Sequence, residues 1–298
     1  EIFFLRKLKM SFLKQGVLKQ ILTEGERYVM TMFSVLSFKE QGIYDGINNI
    51  GSIVVRFLFR PVEDSLYFYF TQCVRRDEEI SNQNPKKMEE VFMVLNQALN
   101  CFTDVGLLIF AFGQSYSNLF LYLYGGERLI NGEGPFLLQV HSFSVILLGI
   151  NGITECFTFS TMNAKELNKY NYLMTGFSIL FLIASWGFTK LFGSSGFILA
   201  NCCNMFARIL HSVIYIKNRY AKSPWKPLRG LKPTKYFFIC LCLTLVITKT
   251  TEKYFSRMSH FFTGTICFVG LLILWSFEKR ELLSLAFHKW KKKKMKQK

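Results

Sequence analysis

The 298-residue chain lacks most of the patterns on which enzymes and secreted domains are built. Its eight Cys include no CxxC pair of the kind that holds zinc. Seven lie inside apolar runs and Cys73 ends one, so they read as small hydrophobes rather than as ligands or a disulfide framework. The four His show no HExxH spacing. The glycine-rich stretch from Gly125 to Gly134 lacks the closing Gly-Lys-Ser/Thr of a phosphate-gripping loop and reads as a short turn. No N-x-Ser/Thr sequon occurs, and no signal-peptide pattern opens the chain, which begins on Glu1 with a basic, half-apolar segment. No metal and no cofactor is expected, and with no long connecting loop to hold a catalytic centre, an enzyme is the least favoured class. Acidic residues are also scarce: 20 Asp+Glu stand against 37 Lys+Arg, a formal net charge of +17.

Half of the residues are hydrophobic and 16% aromatic, which excludes a disordered chain. A charge of +17 suggests nucleic acid as a partner, but its distribution argues against that. The cations sit between long apolar runs, the pattern of a polytopic membrane protein. A hydrocarbon core of ~30 Å takes about 20 helical residues. Phe136 to Ile153 (extendable past Glu155 to Met162), Tyr170 to Thr189, Thr234 to Thr248 and Phe261 to Phe277 fit without strain. Phe197 to Ile216 fits with Arg208 inside it, and Phe92 to Tyr124 with Asp104. Gln20 to Phe38 holds Glu24, Glu26 and Arg27. Ile43 to Cys73 holds Asp45, Arg56, Arg60, Glu63 and Asp64, with Pro61 in its middle, and is expected to kink there. Each run reads as one helix, so the expected fold is an all-α polytopic membrane helix bundle of eight transmembrane helices.

The cations in the connections support that count. Numbered in order, the odd flanks carry 27 Lys+Arg and the even flanks six; the other four, Arg27, Arg56, Arg60 and Arg208, lie within the spans. By the positive-inside rule this places both ends of the chain in the cytosol.

An Arg at the bilayer centre costs about 2.5–3.5 kcal/mol on insertion scales, so each should face the protein interior or a wet cavity. The spacing agrees. On the second helix Asp45, Asn49, Ser52, Arg56, Arg60 and Asp64 recur at three or four residues and share a face. Asn201, Asn204, Arg208, His211 and Tyr215 do so on the sixth. Asn151 and Glu155 are paired on the fourth, Asn96, Asn100 and Asp104 on the third, and Glu24, Arg27 or Tyr28, and Thr31 on the first. One reading is internal glue, with Arg60 and Asp64 as a self-neutralised pair. The other is a polar, partly cationic cavity between the first, second, fourth and sixth helices. Its Arg27, Arg56 and Arg208 would suit an anionic ligand, since guanidinium forks match phosphate oxygens.

Several segments resemble one known family: KQILTEGERYVMT at Lys19 to Thr31, QGIYD at Gln41 to Asp45, NNIGS at Asn48 to Ser52, FRPVEDS at Phe59 to Ser65, INGITECFTF at Ile150 to Phe159, GFILANC at Gly196 to Cys202, and Ser223-Pro224 through PLRGL at Pro227 to Leu231. In order and register these are similar to the Rft family, eukaryotic endoplasmic-reticulum membrane proteins assigned to translocating Man(5)GlcNAc(2)-PP-dolichol. The resemblance runs from about Ser11 to Leu231; the last two helices match in hydropathy only.

The resemblance implies an exporter-type flippase fold of the multidrug/oligosaccharidyl-lipid/polysaccharide superfamily, with two six-helix lobes around a cavity. This chain would supply a cytosolic lead-in (1–18), the second lobe (19–218), a basic cytosolic loop (219–233), two extra helices (234–277) and a lysine-rich tail (278–298). A first lobe would belong to a longer protein. The residues carried over are Glu24, Arg27, Asp45, Asn49, Glu63, Asp64, Asn151, Glu155 and Asn201. The implied partners are the dolichol-pyrophosphate oligosaccharide, membrane lipids and the missing lobe, with no nucleic acid. Two other functions stay open: an accessory scaffold for the glycosylation machinery, and a cation-coupled exporter of small molecules.

Overall fold

The computed structural model describes residues 37–76, 78, 82–221, 223–224 and 226–280. The body of the expected first helix, with Glu24 and Arg27, and the lysine tail lie outside the described residues. Among the described residues every regular element is helical.

The helices are α1 (Phe38–Gly51), α2 (Arg60–Cys73), α3 (Pro85–Gly125), α4 (Glu127–Ile130), α5 (Gly134–Thr161), α6 (Ala164–Phe192), α7 (Ser195–Arg219), α8 (Lys235–Tyr254) and α9 (Arg257–Glu278). Six of them, α3 and α5 to α9, are long and apolar enough to cross a membrane. They coincide with the third to eighth expected spans, so the chain is a polytopic helical membrane bundle.

The expected second span is not one regular helix. Between α1 and α2 a π-helical segment, Val55–Phe59, interrupts it. The cause is Pro61, which has no N–H and whose ring clashes with the carbonyl four residues back. The backbone widens there, and the Arg60 N–H bonds to the Val55 oxygen, five residues earlier. The sequence placed the irregularity correctly; its form is a wide turn one step before the proline.

Local signals fix the other boundaries. Ser37 and Glu40 form a capping box at the start of α1, and Asn163 and Glu166 another at α6. The Ser37 hydroxyl and amide hold the Glu40 carboxyl below the usual carboxylate range. Pro85 and Pro135 occupy the first turns of α3 and α5, where a missing N–H costs nothing. Gly126 (φ 64°) and Gly193 (φ 60°) turn the chain after α3 and α6 in a region few other residues tolerate. With 41 residues, α3 is about 62 Å long at helical rise, twice the hydrocarbon thickness, so part of it stands outside the membrane.

α5 is the axis of the bundle. It packs against α1, α2, α3 and α7, while α6 leans on α7 and the α8–α9 pair leans on α3. Apolar side chains gain nothing by leaving lipid, so these contacts rest on close packing and hydrogen bonds. Small residues on α3 let α5 approach: a Cβ on Gly106 would stand 2.9 Å from Ile146 Cα, and one on Gly113 would overlap Ser142. Gln114 and Gln139 donate to each other's backbone oxygens at 3.0 Å across the same seam. Phe59 stacks on Phe102 at 4.4 Å, and Phe70 meets Phe157 edge-on at 5.1 Å, fixing α2 and α3 around α5.

The cation-rich connections gather at one end. Arg76 donates to the Ser160 oxygen at 3.1 Å, and Arg219 donates to the Arg76 oxygen at 2.8 Å and pairs with Glu166 at 3.2 Å. The basic loop before α8 joins them through Asn96, whose Nδ2 donates to the Lys226 oxygen and whose Oδ1 accepts from the Gly230 N–H, and through Asn100, which donates to the Lys232 oxygen. At the opposite end a groove between α1 and the α4 turn is lined by Lys39, Ile43, Glu127, Arg128 and Asn131. Among the described residues, the alternation of charge along the sequence is thus an alternation of the two ends in space.

Candidate functional site

The polar ladders read from the sequence separate into three groups among the described residues. The first is buried between α5, α6 and α7. Glu155, on the axis helix, has a side chain only 9% exposed and is ion-paired with Arg208 of α7, which is 23% exposed. The other Glu155 oxygen accepts from the Tyr170 hydroxyl of α6 at 2.8 Å, and Asn151 Nδ2 donates to the carboxylate at 3.1 Å. His211, one turn past Arg208, lies against the Tyr170 ring at 4.7 Å. Several enclosed polar atoms around this cluster have no partner among the described residues: Asn151 Oδ1, Asn204 Oδ1, Arg208 Nε and His211 Nδ1. Asn201 is half-buried on the same face of α7, two turns before Arg208.

Glu63 reaches this neighbourhood from α2. Gly152 on α5 leaves the room its carboxylate occupies; a Cβ at Gly152 would overlap it. The Cys156 thiol donates to the Glu63 backbone oxygen at 3.3 Å. Glu63 therefore lies within electrostatic reach of Glu155 and of Arg60.

The second group stays on an open face. Asp45, Asn49, Arg56, Arg60 and Asp64 are all exposed. Arg56 reaches back two turns to donate to Asn49 Oδ1 at 2.9 Å. Arg60 and Asp64 make no ion pair with each other, unlike the self-neutralised reading. Most other exposed surface on the apolar helices is of another kind: Ile179, Leu180 and Ile183 on α6 and Leu243, Val246 and Ile247 on α8 are exposed hydrophobes suited to lipid.

The third group was read on α3 without its partners. Asn96 and Asn100 hold the basic loop, and Asp104, 1% exposed, pairs with Lys279 at 3.2 Å and accepts from Trp275 Nε1 at 3.2 Å. Both partners stand at the end of α9, four residues apart. That spacing was a legible signal in the sequence. Tyr170 offered no such signal, because a lone tyrosine at the end of an apolar run looks like an interfacial anchor. A cleft of about 230 Å³ at the opposite end, lined by Ser115, Asn118, Tyr122, Glu252, Arg257 and His260, was also unforeseen. There His260 accepts or donates at Thr251 Oγ1 (2.8 Å) and stacks on Tyr116 at 4.0 Å. Among the described residues no group of three His, Cys, Asp or Glu side chains is placed to hold a metal ion.

A multi-helix membrane bundle with a charged open face on α1–α2 and a neutralised ionic cluster inside α5–α7 is the class of protein that fold and site define. The chain belongs to the Rft family: the family model described as Rft protein matches residues 4–289. It is 45% identical over 284 residues to the Man(5)GlcNAc(2)-PP-dolichol translocation protein RFT1 of Drosophila melanogaster, covering 95% of this chain and 51% of that one. It is 44% identical to the Xenopus tropicalis protein of the same name over 272 residues, covering 89% and 50%, and 42% identical to that of Mus musculus over 267 residues, covering 87% and 49%. The chain spans about half the length of the curated relatives it matches. No solved structure matches it.

Proposed function

We propose that this chain is the second half of a glycolipid translocator that moves Man(5)GlcNAc(2)-PP-dolichol from the cytosolic to the lumenal leaflet of the endoplasmic reticulum membrane. The relatives' name supplies the substrate. The observation that carries the reading is the exposed ladder Asp45, Asn49, Arg56, Arg60 and Asp64 on α1–α2. Charged groups facing lipid are costly, so this face turns toward the other half of the protein and a wet path between the two.

A pyrophosphate carrying sugars cannot enter hydrocarbon unaided. The path supplies donors and cations while the dolichol tail stays in the bilayer. Arg27, Arg56 and Arg208 meet the pyrophosphate; Asn and acidic side chains meet sugar hydroxyls; α8 and α9 offer an apolar surface to the tail. Eight spans, with both ends of this chain in the cytosol, and an exporter-type pair of lobes that alternate in access complete the proposal. The family's proteins are translocators by name and not enzymes, and an enzymatic role is not part of this reading. The ion pair that already neutralises Arg208 favours a second reading, in which the internal charges are structural and the protein serves dolichol-linked assembly without moving lipid.

Reorientation of the glycolipid in vesicles containing the purified full-length protein separates the two. Loss of a charge-assisted hydrogen bond in Arg56→Ala should slow transport by about tenfold or more. Equal rates with and without protein would eliminate the translocator.

A further inference from the structure

Glu155 is too fully engaged to serve a sugar. An ionised carboxylate offers about four lone-pair sites. Three donors from three side chains already occupy the Glu155 oxygens: Asn151 Nδ2, the Tyr170 hydroxyl and the Arg208 guanidinium. Its side chain is 9% exposed, whereas that of Arg208 is 23% exposed. The carboxylate is therefore the buried member of the pair and the guanidinium the accessible one. Of the five guanidinium N–H donors, the NH2 group is spent on Glu155, and Nε is enclosed without a partner among the described residues. A guanidinium held at one corner has its depth set, and its enclosed Nε limits how the remaining donors can turn.

We infer that Glu155 is a positioning residue for Arg208, and that Tyr170 and Asn151 are its supports: the carboxylate does not touch the glycolipid but aims the guanidinium at a diphosphate. This rests on the proposed function, in which Arg208 is one of the cations that meet the pyrophosphate. It narrows the roles within that reading by moving Asn151 and Glu155 from substrate contacts to the cation's mount, and it adds Tyr170. The supports have a specific task. A diphosphate carries at least two negative charges and pulls Arg208 away from its carboxylate. Two neutral donors that stay with Glu155 hold its carboxylate in place when the guanidinium is shared. Because these four residues sit on α5, α6 and α7, the mount also keeps those helices in register at the depth of Arg208.

The test uses the full-length protein, with inorganic pyrophosphate as the probe in titration calorimetry and the glycolipid in the vesicle assay. Tyr170→Phe removes one hydroxyl and no volume. It should weaken pyrophosphate binding about tenfold, the lower end for a hydrogen bond to a charged group. It should also raise half-saturation for the glycolipid while leaving the maximal rate unchanged. In the Arg208→Ala background the same substitution should have no effect on either quantity. Asn151→Ala, which removes the other neutral donor to Glu155, serves as the second variant should Tyr170→Phe fold poorly, with the same expectation. Equal losses with and without Arg208 would overturn the positioning role, because a support of the helices alone acts regardless of the cation. Wild-type protein that binds no pyrophosphate would overturn the inference together with the pyrophosphate reading of Arg208. The two failures are distinct: the first leaves wild-type binding intact.

Discussion

Substituting Asp104 measures how far the α8–α9 pair depends on one buried charge. Asp104 on α3 is 1% exposed, and the Lys279 side chain that pairs with it is 10% exposed. Asp104→Ala strands an ammonium inside the protein and removes the acceptor of the Trp275 N–H. Breaking a buried pair from one side costs about 3–5 kcal/mol in soluble proteins. Two features lower the figure here. Lys279 follows the last turn of α9, and its long stem can carry the charge toward the interface. The neighbouring Glu278 has both carboxylate oxygens enclosed without a partner among the described residues, so it can accept the ammonium in part. A loss of about 2 kcal/mol is expected once that relief is subtracted.

Thiol-reactive dye labelling during a thermal ramp reports it, since Cys101 lies one turn from Asp104 and Cys240 lies in the α8 segment packed against the same core. The Asp104→Ala transition should fall clearly below that of the parent, while Asp104→Asn, which keeps an acceptor for Trp275, should fall less. Replacing both partners, Asp104→Leu with Lys279→Met, should recover most of the loss, because an apolar pair leaves no uncompensated charge. A double variant as unstable as Asp104→Ala, or an Asp104→Ala protein as stable as its parent, would refute the reasoning.

Three further outcomes follow from named contacts. Gly152→Val should displace the Glu63 carboxylate and loosen α2 from α5, seen as faster hydrogen exchange over residues 60–73, whereas Gly176→Val, where a Cβ meets nothing within 4 Å, should leave exchange unchanged. Gly113→Leu should lower the yield of folded protein by driving a side chain into Ser142 at the α3–α5 seam; overpacking of this kind costs about 1–3 kcal/mol. Arg219→Ala should free the turn around Arg76, which it holds through a 2.8 Å hydrogen bond, and open the chain at residues 74–76 to limited proteolysis without altering the cores of α5 and α7.

The helices were legible because their signal is long and redundant. Apolar runs of about 20 residues located α3 and α5 to α9. The α1–α2 segment was harder: Pro61 announced a break, but a π turn and a kinked α-helix leave the same trace in sequence. The candidate site was half legible. Three- and four-residue spacing put Asn151 with Glu155, and Asn204 with Arg208 and His211, on single faces. It could not show that the two faces look at each other, because spacing on one helix carries no information about the neighbour. Hence Glu155 and Arg208 entered as separate cavity residues and emerged as a pair, and Tyr170, which joins them, was passed over. The Asn96, Asn100 and Asp104 ladder was seen for the same reason, and its partners in the basic loop and at Lys279 were not.

On this reading the glycolipid passes along the open face of α1–α2. A photoreactive amino acid placed at Asn49 in the full-length protein, with a second variant carrying it at Ile183 on the lipid-facing side of α6, reports directly what passes each position. Cross-links to radiolabelled Man(5)GlcNAc(2)-PP-dolichol should form at 49, diminish with excess inorganic pyrophosphate, and be no greater than background at 183. Equal labelling at both positions, or labelling at 183 alone, would contradict a substrate path along the charged ladder.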